Sequence, residues 1–420
     1  MTQGAASITN KLGLSTIQQI LSRLGNPQHG YACIHVAGTN GKGSVASFLA
    51  SILNASGYKV GLYTSPHLVR FNERIRIDNQ QIADENVVSA YRAVTEVSGG
   101  DREPTFFEYT TAMALYEFGR QAVDWAVVET GMGGRLDATN VLKPAVSIIT
   151  NVSLEHQSYL GATLAEIAGE KGGIIKSHTP VVTAVSQPSA ISVLENLASD
   201  LSAPLFRLKK DFRVRRNADH SFSYYGLDHV WKGITTSLTG SHQVENAALV
   251  LAACELLNRS NITISIEQIQ AGLGSTRWPG RLEVVSDHPM IILDGAHNLN
   301  ASKELAKYLK TELKGRRITL VIGILEDKPY AEILGHLLPA CSRVILTSPK
   351  IDRALSVDAL YPVAAALTAD VRTIPDVSRA VSFAVQNARP DEVICVAGSL
   401  YVVGEAKAFL NQSEEGVQHM

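Results

Sequence analysis

The segment with the clearest chemistry is Gly38-Thr39-Asn40-Gly41-Lys42-Gly43-Ser44, between an apolar strand pattern and an apolar-periodic helix pattern. Its glycines allow backbone N–H groups to face an anion, and the following helix N-terminus adds partial positive charge. Lys42 has the length to reach β- and γ-phosphates, and the Ser44 hydroxyl suits Mg²⁺. The spacing departs from the common P-loop because Gly43 intervenes between Lys42 and Ser44. An ordinary glycine-rich turn is the alternative, but the order of strand, loop, lysine, serine and helix favours nucleotide binding.

Two further segments place polar side chains where predicted strands end. Trp125–Glu129 ends in a carboxylate, and Thr150–His156 carries a histidine just past another strand. Open α/β sheets bind ligands at this edge. Mg²⁺ takes oxygen ligands and keeps several waters, so Ser44 and Glu129 suit it. The alternatives are a capping or ion-paired carboxylate at Glu129 and a plain loop histidine at His156.

The elements that must position these residues alternate in type. Continuous apolar strands separated by helical patterns predict a parallel sheet covered on both faces. The predicted strands are Tyr31–Val36, Lys59–Thr64, Val123–Glu129, Ala145–Thr150 and Val181–Ala184, and the helices are Ser44–Ala55, Asp84–Val97 and Phe107–Arg120. Short alternating segments over Phe206–Lys232 predict antiparallel hairpins, and a helix is predicted over His242–Leu257.

Pro279-Gly280 is a strong breaker pair, after which strand and helix patterns alternate again. We therefore predict two domains, 1–280 and 281–420. The predicted class is α/β: a P-loop-type N-terminal domain with a mostly parallel sheet and a small antiparallel portion, then a smaller Rossmann-like C-terminal domain.

Composition excludes several classes of protein. Lys plus Arg number 38 against 40 Asp plus Glu, a net charge of −2, which gives no support for nucleic-acid binding by bulk charge. The longest clean apolar run, Ala247–Cys254, is far short of the ~20 residues of a membrane-spanning helix. The four cysteines show no CxxC spacing. We expect a cytoplasmic, monomeric enzyme of small-molecule substrates with no nucleic-acid or membrane partner.

The Gly38–Ser44 segment resembles the ATP loop of the Mur ligase superfamily, specifically of folylpolyglutamate synthases and their dihydrofolate synthase relatives. The resemblance covers nearly the whole chain. The other matching motifs are Ser65-Pro66-His67-Leu68, Arg70–Arg74, Thr105–Glu108, Gly131–Asn140, Glu170–Ile174, Trp278–Arg281, Asp294–Asn298 and Gly398–Tyr401.

The resemblance implies ATP- and Mg²⁺-dependent amide bond formation between a folate carboxylate and L-glutamate, through an acyl phosphate. The implied ATP contacts are Thr39, Asn40, Gly41, Lys42, Gly43, Ser44, Asn246, Arg281 and Asp294; the implied metal ligands are Ser44, Ser65, Glu129 and His156. The implied substrate contacts are Arg70, Phe71, Arg74, Thr105, Leu136, Asp137 and Ala138; the implied catalytic residues are Lys42, Lys171 and His297, with Lys171 carbamylated.

Several of these residues have simpler interpretations. Lys171 precedes two glycines at a predicted helix end, as a C-terminal dipole partner would. Arg70 and Arg74 suit a solvated strand edge, and Gly131–Asn140 suits a plain loop. Arg281 suits an interdomain ion pair or a closing hinge, and Asp294 suits a helix N-cap.

Two other functions stay open: a Mur-type amide ligase acting on another carboxylate, and a non-catalytic folate or nucleotide binder. Dihydrofolate synthase activity is also open. Only eleven residues precede Leu12-Gly13-Leu14, whereas family members carry a longer leader that helps bind the pteroate ring. We therefore expect polyglutamylation in preference to dihydrofolate synthesis.

Overall fold

The computed structural model describes residues 13–100, 102–260 and 262–418, with side chains as far as residue 412. The residues before Leu12-Gly13-Leu14, on which the expectation about the leader depends, lie outside this part. The chain divides into two compact units. The first comprises the described residues up to His67, Phe71–Ser237 and Gln243–Arg277, and the second comprises Leu68–Arg70, Leu238–His242 and the chain from Trp278 onward.

The first unit is built on an eight-stranded sheet. Its strands are β1 Ala32–Ala37, β2 Val60–Tyr63, β3 Ile75–Ile77, β4 Gln80–Gln81, β5 Trp125–Glu129, β6 Val146–Ile149, β7 Val181–Thr183 and β8 Leu205–Arg207. Their order is β4-β3-β2-β5-β1-β6-β7-β8. Strands β2, β5, β1, β6, β7 and β8 run parallel, and β3 and β4 add an antiparallel edge.

Helices cover both faces of this sheet. They are α1 Ser15–Arg23, α2 Lys42–Ala55, α3 Asp84–Val97, α4 Phe106–Arg120, α5 Gln157–Leu160, α6 Leu164–Gly172, α7 Pro188–Asp200, α8 Ser241–Arg259 and α9 Ile266–Ser275. Strands β5 and β6 are buried along their whole length. This burial explains their continuous apolar sequences, because a strand between two helical layers has no solvent face. The predicted mostly parallel α/β fold is confirmed.

A separate three-stranded sheet follows. Strands β9 Arg213–Arg216, β10 Phe222–Tyr225 and β11 Val230–Ile234 pair antiparallel in the order β11-β10-β9. The predicted hairpins therefore occur, but Phe206 does not belong to them. It lies in β8 and pairs in parallel with β7, because the crossover through α7 returns the chain to the edge of the large sheet.

The second unit has a six-stranded sheet in the order β12-β13-β17-β14-β15-β16. Its strands are β12 Glu283–Asp287, β13 Met290–Leu293, β14 Ile318–Ile322, β15 Arg343–Leu346, β16 Val371–Thr373 and β17 Val393–Ala397. Its helices are α10 Leu299–Thr311, α11 Tyr330–Leu337, α12 Val357–Leu367, α13 Val377–Gln386 and α14 Leu400–Gln418. All neighbouring strands are parallel except β12 and β13. Within the described ranges, no helix is long and apolar enough to cross a membrane.

A buried carboxylate attaches the small sheet to α8. Glu255 accepts hydrogen bonds from the Tyr224 hydroxyl at 2.7 Å and from the backbone N–H groups of Leu227, Asp228 and His229 at 2.7, 3.1 and 2.7 Å. The turn between β10 and β11 therefore has its backbone donors satisfied by one side chain. Removing that side chain leaves the buried Tyr224 hydroxyl and three partly buried backbone donors without this acceptor.

We expect Glu255→Ala to lower the free energy of unfolding by about 3 kcal/mol, because these donors lose their acceptor. Urea denaturation followed by circular dichroism measures the change. Glu245→Ala is the matched control on the same helix: Glu245 is 48% exposed and forms an ion pair with Lys209 at 3.0 Å. It should cost less than about 1 kcal/mol. Equal losses for the two variants would contradict the role assigned to Glu255.

Candidate active site

Three adjacent strands of the first unit, β5, β1 and β6, end at one edge of the sheet. The Gly38–Ser44 loop follows β1, Glu129 is the last residue of β5, and Thr150 and Asn151 follow β6. The carboxyl ends of parallel strands are where such sheets bind ligands. The topology therefore brings together the glycine-rich loop and the predicted metal-binding carboxylate.

The loop after β6 holds the backbone of the glycine-rich loop. Asn40 N–H donates to Asn151 Oδ1 at 2.9 Å, and Thr39 N–H donates to the Asn151 carbonyl at 2.9 Å. The Asn40 carbonyl accepts from Thr150 Oγ1 at 2.6 Å and from Asn151 Nδ2 at 3.0 Å. In this segment His156 was predicted as a site residue, whereas Thr150 and Asn151 were not. Their position directly after a predicted strand was the available signal.

Two glycines of the loop have no room for a side chain. Gly38 has a φ of +148°, and a Cβ there would overlap the Thr150 hydroxyl. Gly41 has a φ of +84°, and a Cβ there would overlap the side-chain amide of Asn246. Both positions therefore require glycine for conformation and for space.

The first turns of α8 complete the cradle. Asn246 Nδ2 donates to Gln243 Oε1 at 2.9 Å, and Gln243 Nε2 lies 3.3 Å from Ser44 Oγ. The predicted ATP residue Asn246 therefore lies beside the loop, although it is far away in sequence. Gln243 was not predicted, because nothing local marks a helical glutamine as a neighbour of Ser44.

Lys42 folds back over its own loop. Its ammonium donates to the Gly38 and Thr39 carbonyls at 3.1 and 3.3 Å and lies 4.0 Å from Glu129 Oε1. Glu129 is buried, and its Oε2 accepts from Ser65 N–H at 3.2 Å. The structure thus groups Lys42, Glu129 and Ser65, three residues predicted to act at the phosphate and metal sites.

The donor set fits Mg²⁺. Ser44 and Glu129 offer a hydroxyl and a carboxylate, the hard oxygen ligands that this ion prefers. Among the described residues, no group of three His, Cys, Asp or Glu is placed to hold a metal by itself. His156 has a φ of +49° and lies 3.8 Å from Glu155.

Lys171 is buried in α6, and its ammonium donates to the Gly38 carbonyl at 2.8 Å. Burial, with repulsion from Lys42, lowers the pKa of Lys171 to about 7. A large fraction of this amine is therefore neutral at physiological pH. A neutral amine is nucleophilic and can react with carbon dioxide.

Tyr63 is buried near two of the predicted substrate-binding residues, Arg74 and Asp137. Its ring is 6.0 Å from that of Phe107, and its hydroxyl lies 2.9 Å from Thr110 Oγ1. Burial raises the pKa of Tyr63 to about 12; the charge of Arg74 opposes this rise and the charge of Asp137 adds to it, both as smaller effects. The buried Tyr63 was missed because its strand pattern alone predicts an ordinary core residue.

Arg74 joins a polar and aromatic cluster. Its Nε donates to His67 Nδ1 at 2.8 Å, and its guanidinium lies 5.3 Å from the centre of the Phe106 ring. Phe106 is 63% exposed. Burial, and then the charge of Arg74, lower the pKa of His67. A cation beside an exposed aromatic ring suits a flat ring system that carries carboxylates.

The other predicted substrate residues have mainly structural contacts. Thr105 is the N-cap of α4, in a reciprocal capping box with Glu108. Ala138 is buried and begins a 3₁₀ turn, while Leu136 and Phe71 are half-buried.

Four predicted site residues belong to the second unit. Asp294 is not the N-cap of α10; that position is held by Asn298. The Asp294 carboxylate accepts hydrogen bonds from Leu282 N–H at 2.9 Å and from Ala296 N–H at 3.0 Å. Burial raises the pKa of Asp294 against the opposing charge of Arg281. His297 Nδ1 is 2.7 Å from the Gly295 carbonyl. Arg70 is exposed and was predicted with residues of the first unit, but groups with the second.

Two protein families match the chain. The Mur ligase middle domain matches residues 36–254, and the glutamate ligase domain of Mur ligases matches residues 280–400. The fold and the site therefore define an enzyme of the Mur ligase type.

Individual relatives narrow this class. Dihydrofolate synthase/folylpolyglutamate synthase of Bacillus subtilis is 38% identical over 409 residues, 94% of each chain. The structure of Escherichia coli FolC in complex with DHPP and ADP has a TM-score of 0.88 at 30% identity, covering 98% of this chain and 99% of its own. The Yersinia pestis bifunctional enzyme complexed with AMPPNP and Mn ion has a TM-score of 0.87 at 30% identity, covering 98% of both chains. The protein belongs to the folylpolyglutamate synthase and dihydrofolate synthase family.

The lowered pKa of Lys171 predicts a pH-dependent stability. The unfolded chain, with the ordinary lysine pKa of 10.5, binds more protons than the folded chain above pH 7. In bicarbonate-free buffer, the free energy of unfolding should therefore rise from pH 7 to pH 10, and Lys171→Met should lose on the order of 2 kcal/mol of that rise. Urea unfolding across this range measures it. An equal rise in both proteins would show that the amine is not buried.

Proposed function

We propose that this protein is an ATP-dependent ligase that joins L-glutamate to a folate carboxylate and releases ADP and phosphate. The observation that carries the proposal is the closely packed loop Gly38–Ser44, with Lys42 and Glu129 4.0 Å apart at the end of adjacent strands. Family membership supplies the substrate class, since the relatives are named for folylpolyglutamate and dihydrofolate synthesis. We assign the ATP-binding catalytic domain to residues 1–280 and the ligase domain to 281–420.

The triphosphate is held by the N–H groups of the later part of the loop, Gly41–Ser44, because those of Thr39 and Asn40 donate to Asn151. Asn246 lies beside this part of the loop. Lys42 moves from its present carbonyl partners to the phosphates, which offer a stronger charge-assisted hydrogen bond. The relatives that bind ADP and AMPPNP support this nucleotide assignment. Arg281 and Asp294 of the second unit remain proposed ATP contacts on the basis of the family motif.

Ser44, Ser65, Glu129 and His156 are the proposed metal ligands. When bound, Mg²⁺ neutralises phosphate charge and so favours attack at the γ-phosphorus. The Yersinia pestis complex with Mn ion supports the use of a divalent ion. The hydroxyl of Ser44 and the carboxylate of Glu129 are the groups that the geometry supports best, since both are buried beside the loop.

The chemistry follows from the need to activate an acid. A carboxylate is a poor acyl donor because oxide is a poor leaving group. Attack of the folate carboxylate on the γ-phosphorus forms a C–O–P bond and expels ADP. The amine of glutamate then attacks the acyl carbon, and phosphate leaves. Lys42 and the loop N–H groups stabilise the charge that develops on the transferred phosphate.

The folate lies, in this proposal, against the cluster around Tyr63. Arg74 and Phe106 offer a cation and an exposed ring, and Asp137 offers an acceptor for ring N–H groups. The E. coli complex with DHPP supports a pteroate-type ligand. Arg70, Phe71, Thr105, Leu136 and Ala138 stay proposed contacts.

We propose that Lys171 is carbamylated, since its amine is buried with a pKa of about 7, and that His297 acts in catalysis.

The near-zero net charge and the four unpaired cysteines favour a cytoplasmic enzyme of small molecules. We propose that it acts as a monomer without a nucleic-acid or membrane partner.

An ADP-release assay with tetrahydrofolate plus glutamate and dihydropteroate plus glutamate, run in parallel, tests the function. We expect ADP release with tetrahydrofolate and at least a thousandfold loss in Lys42→Ala, the order of magnitude for removing a preorganised charge at the reacting group. Lys42→Ala should still fold, because Lys42 is the partly exposed first residue of α2 and alanine suits a helix. Release only with a UDP-muramyl substrate would favour another Mur-type ligase. No release with either folate would indicate a non-catalytic binder.

Glu129→Gln should shift the Mg²⁺ titration of this activity to higher concentration by about tenfold, because a neutral amide binds the ion more weakly. Glu195→Gln is the control, since Glu195 is 42% exposed and forms ion pairs with Arg207 and Lys210. A Glu129→Gln titration that overlays the wild-type curve would remove this residue from the ligand set.

A further inference from the structure

Three buried polar side chains connect the strand before the phosphate loop with the predicted substrate loop. His35 is wholly buried in β1, between Val128 of β5 and Ser147 of β6. Its Nε2 lies 2.8 Å from Thr139 Oγ1. That hydroxyl donates in turn to Asp137 Oδ1 at 2.5 Å. The chain His35–Thr139–Asp137 is not explained by nucleotide binding.

The direction of these hydrogen bonds follows from the chemistry of the groups. An ionised Asp137 only accepts, so the single hydroxyl proton of Thr139 points to it. The lone pairs of Thr139 then face His35, which must donate from Nε2–H. A neutral imidazole with this tautomer has a bare Nδ1, and within the described residues that atom has no hydrogen-bond partner. A buried acceptor without a partner costs free energy, so Nδ1 itself contributes no stability to the fold.

Asp137 closes the loop that begins after β5. Its Oδ2 accepts from Met132 N–H at 2.9 Å, and its Oδ1 accepts from Thr139 N–H at 3.0 Å. It is also the N-cap of the 3₁₀ turn Ala138–Val141. The orientation of this carboxylate therefore sets the path of residues 131–138, including the proposed substrate contacts.

We propose that His35 is a positioning residue: its Nε2–H, through Thr139, orients the Asp137 carboxylate and holds the 131–138 loop in the conformation that receives the folate. This inference rests on the proposed function. Strand β1 continues directly into the Gly38–Ser44 loop. One strand thus positions the nucleotide through its end and the folate through His35.

The imidazole remains neutral under working conditions. Burial, with a smaller repulsion from Lys176, lowers the pKa of His35 to about 3. Its donor tautomer is therefore constant across physiological pH. A positioning group must not change its charge while the enzyme turns over. The burial of His35 meets this requirement because it keeps the imidazole neutral.

Steady-state kinetics test the assignment. His35→Leu and Thr139→Val should raise KM for tetrahydrofolate about tenfold, the effect of losing one oriented hydrogen bond, with KM for ATP within about twofold of wild type. His35→Gln and Thr139→Ser keep a donor and a hydroxyl, and should recover most of the affinity. A wild-type KM in active His35→Leu, or equal rises in both KM values, would overturn the assignment.

Ser147→Ala is the matched control. Ser147 is the register partner of His35 on β6, equally buried, and its hydroxyl donates to the Ile174 carbonyl at 3.0 Å. It should leave KM for tetrahydrofolate unchanged. An equal rise in Ser147→Ala would show a general effect of the core and overturn the proposal.

The tautomer gives a readout independent of activity and of variants that fail to fold. ¹⁵N NMR of wild-type His35 should show a protonated Nε2 and a bare Nδ1, constant from pH 5 to 9. A protonated Nδ1 or a titration in this range would overturn the inference. The expected tautomer without folate-dependent ADP release would reject the proposed function alone. A wild-type KM in active His35→Leu would reject the role of His35 alone.

Discussion

The first unit depends on the close approach of two side chains to the backbone of the loop after β1. Thr150 and Asn246 lie where Gly38 and Gly41 would otherwise carry a Cβ. Because these contacts are to the backbone, the N–H groups of the loop are oriented before any phosphate arrives. Preorganised donors need little reorganisation when charge develops on a phosphate. The packing that stabilises the loop therefore also prepares it to stabilise that charge.

Positive charge is concentrated at the same loop. The ammonium groups of Lys42 and Lys171 both donate to the Gly38 carbonyl, and Lys42 also lies near Glu129. Two cations at one carbonyl repel each other, which contributes to the lowered pKa of Lys171. The region is thus short of negative charge, a condition that a triphosphate or a carbamate on Lys171 would relieve.

The α/β class and the glycine-rich loop were predictable because they are contiguous signals. Gly38–Ser44 contains its own strand exit, lysine and helix start, and Glu129 ends an uninterrupted apolar strand. Gln243, Tyr63 and His35 were not predictable, because their roles depend on contacts made across the fold with Ser44, Arg74 and Thr139. The parallel pairing of Phe206 and the short, exposed β16 also lacked a local signal. The Thr-x-x-Glu spacing of Thr105 and Glu108 predicts a capping box, but Thr105 was predicted as a substrate contact from the family resemblance.

Helix α8 has a consequence of its own. Its first turns carry Gln243 and Asn246 beside the loop, and its later turns carry Glu255 beneath the small sheet. Both features lie on one rigid rod, about 14 Å apart at the rise of an α-helix. Because one helix carries both sets of contacts, a substitution that displaces α8 at Glu255 would also displace Gln243 and Asn246 from the phosphate loop.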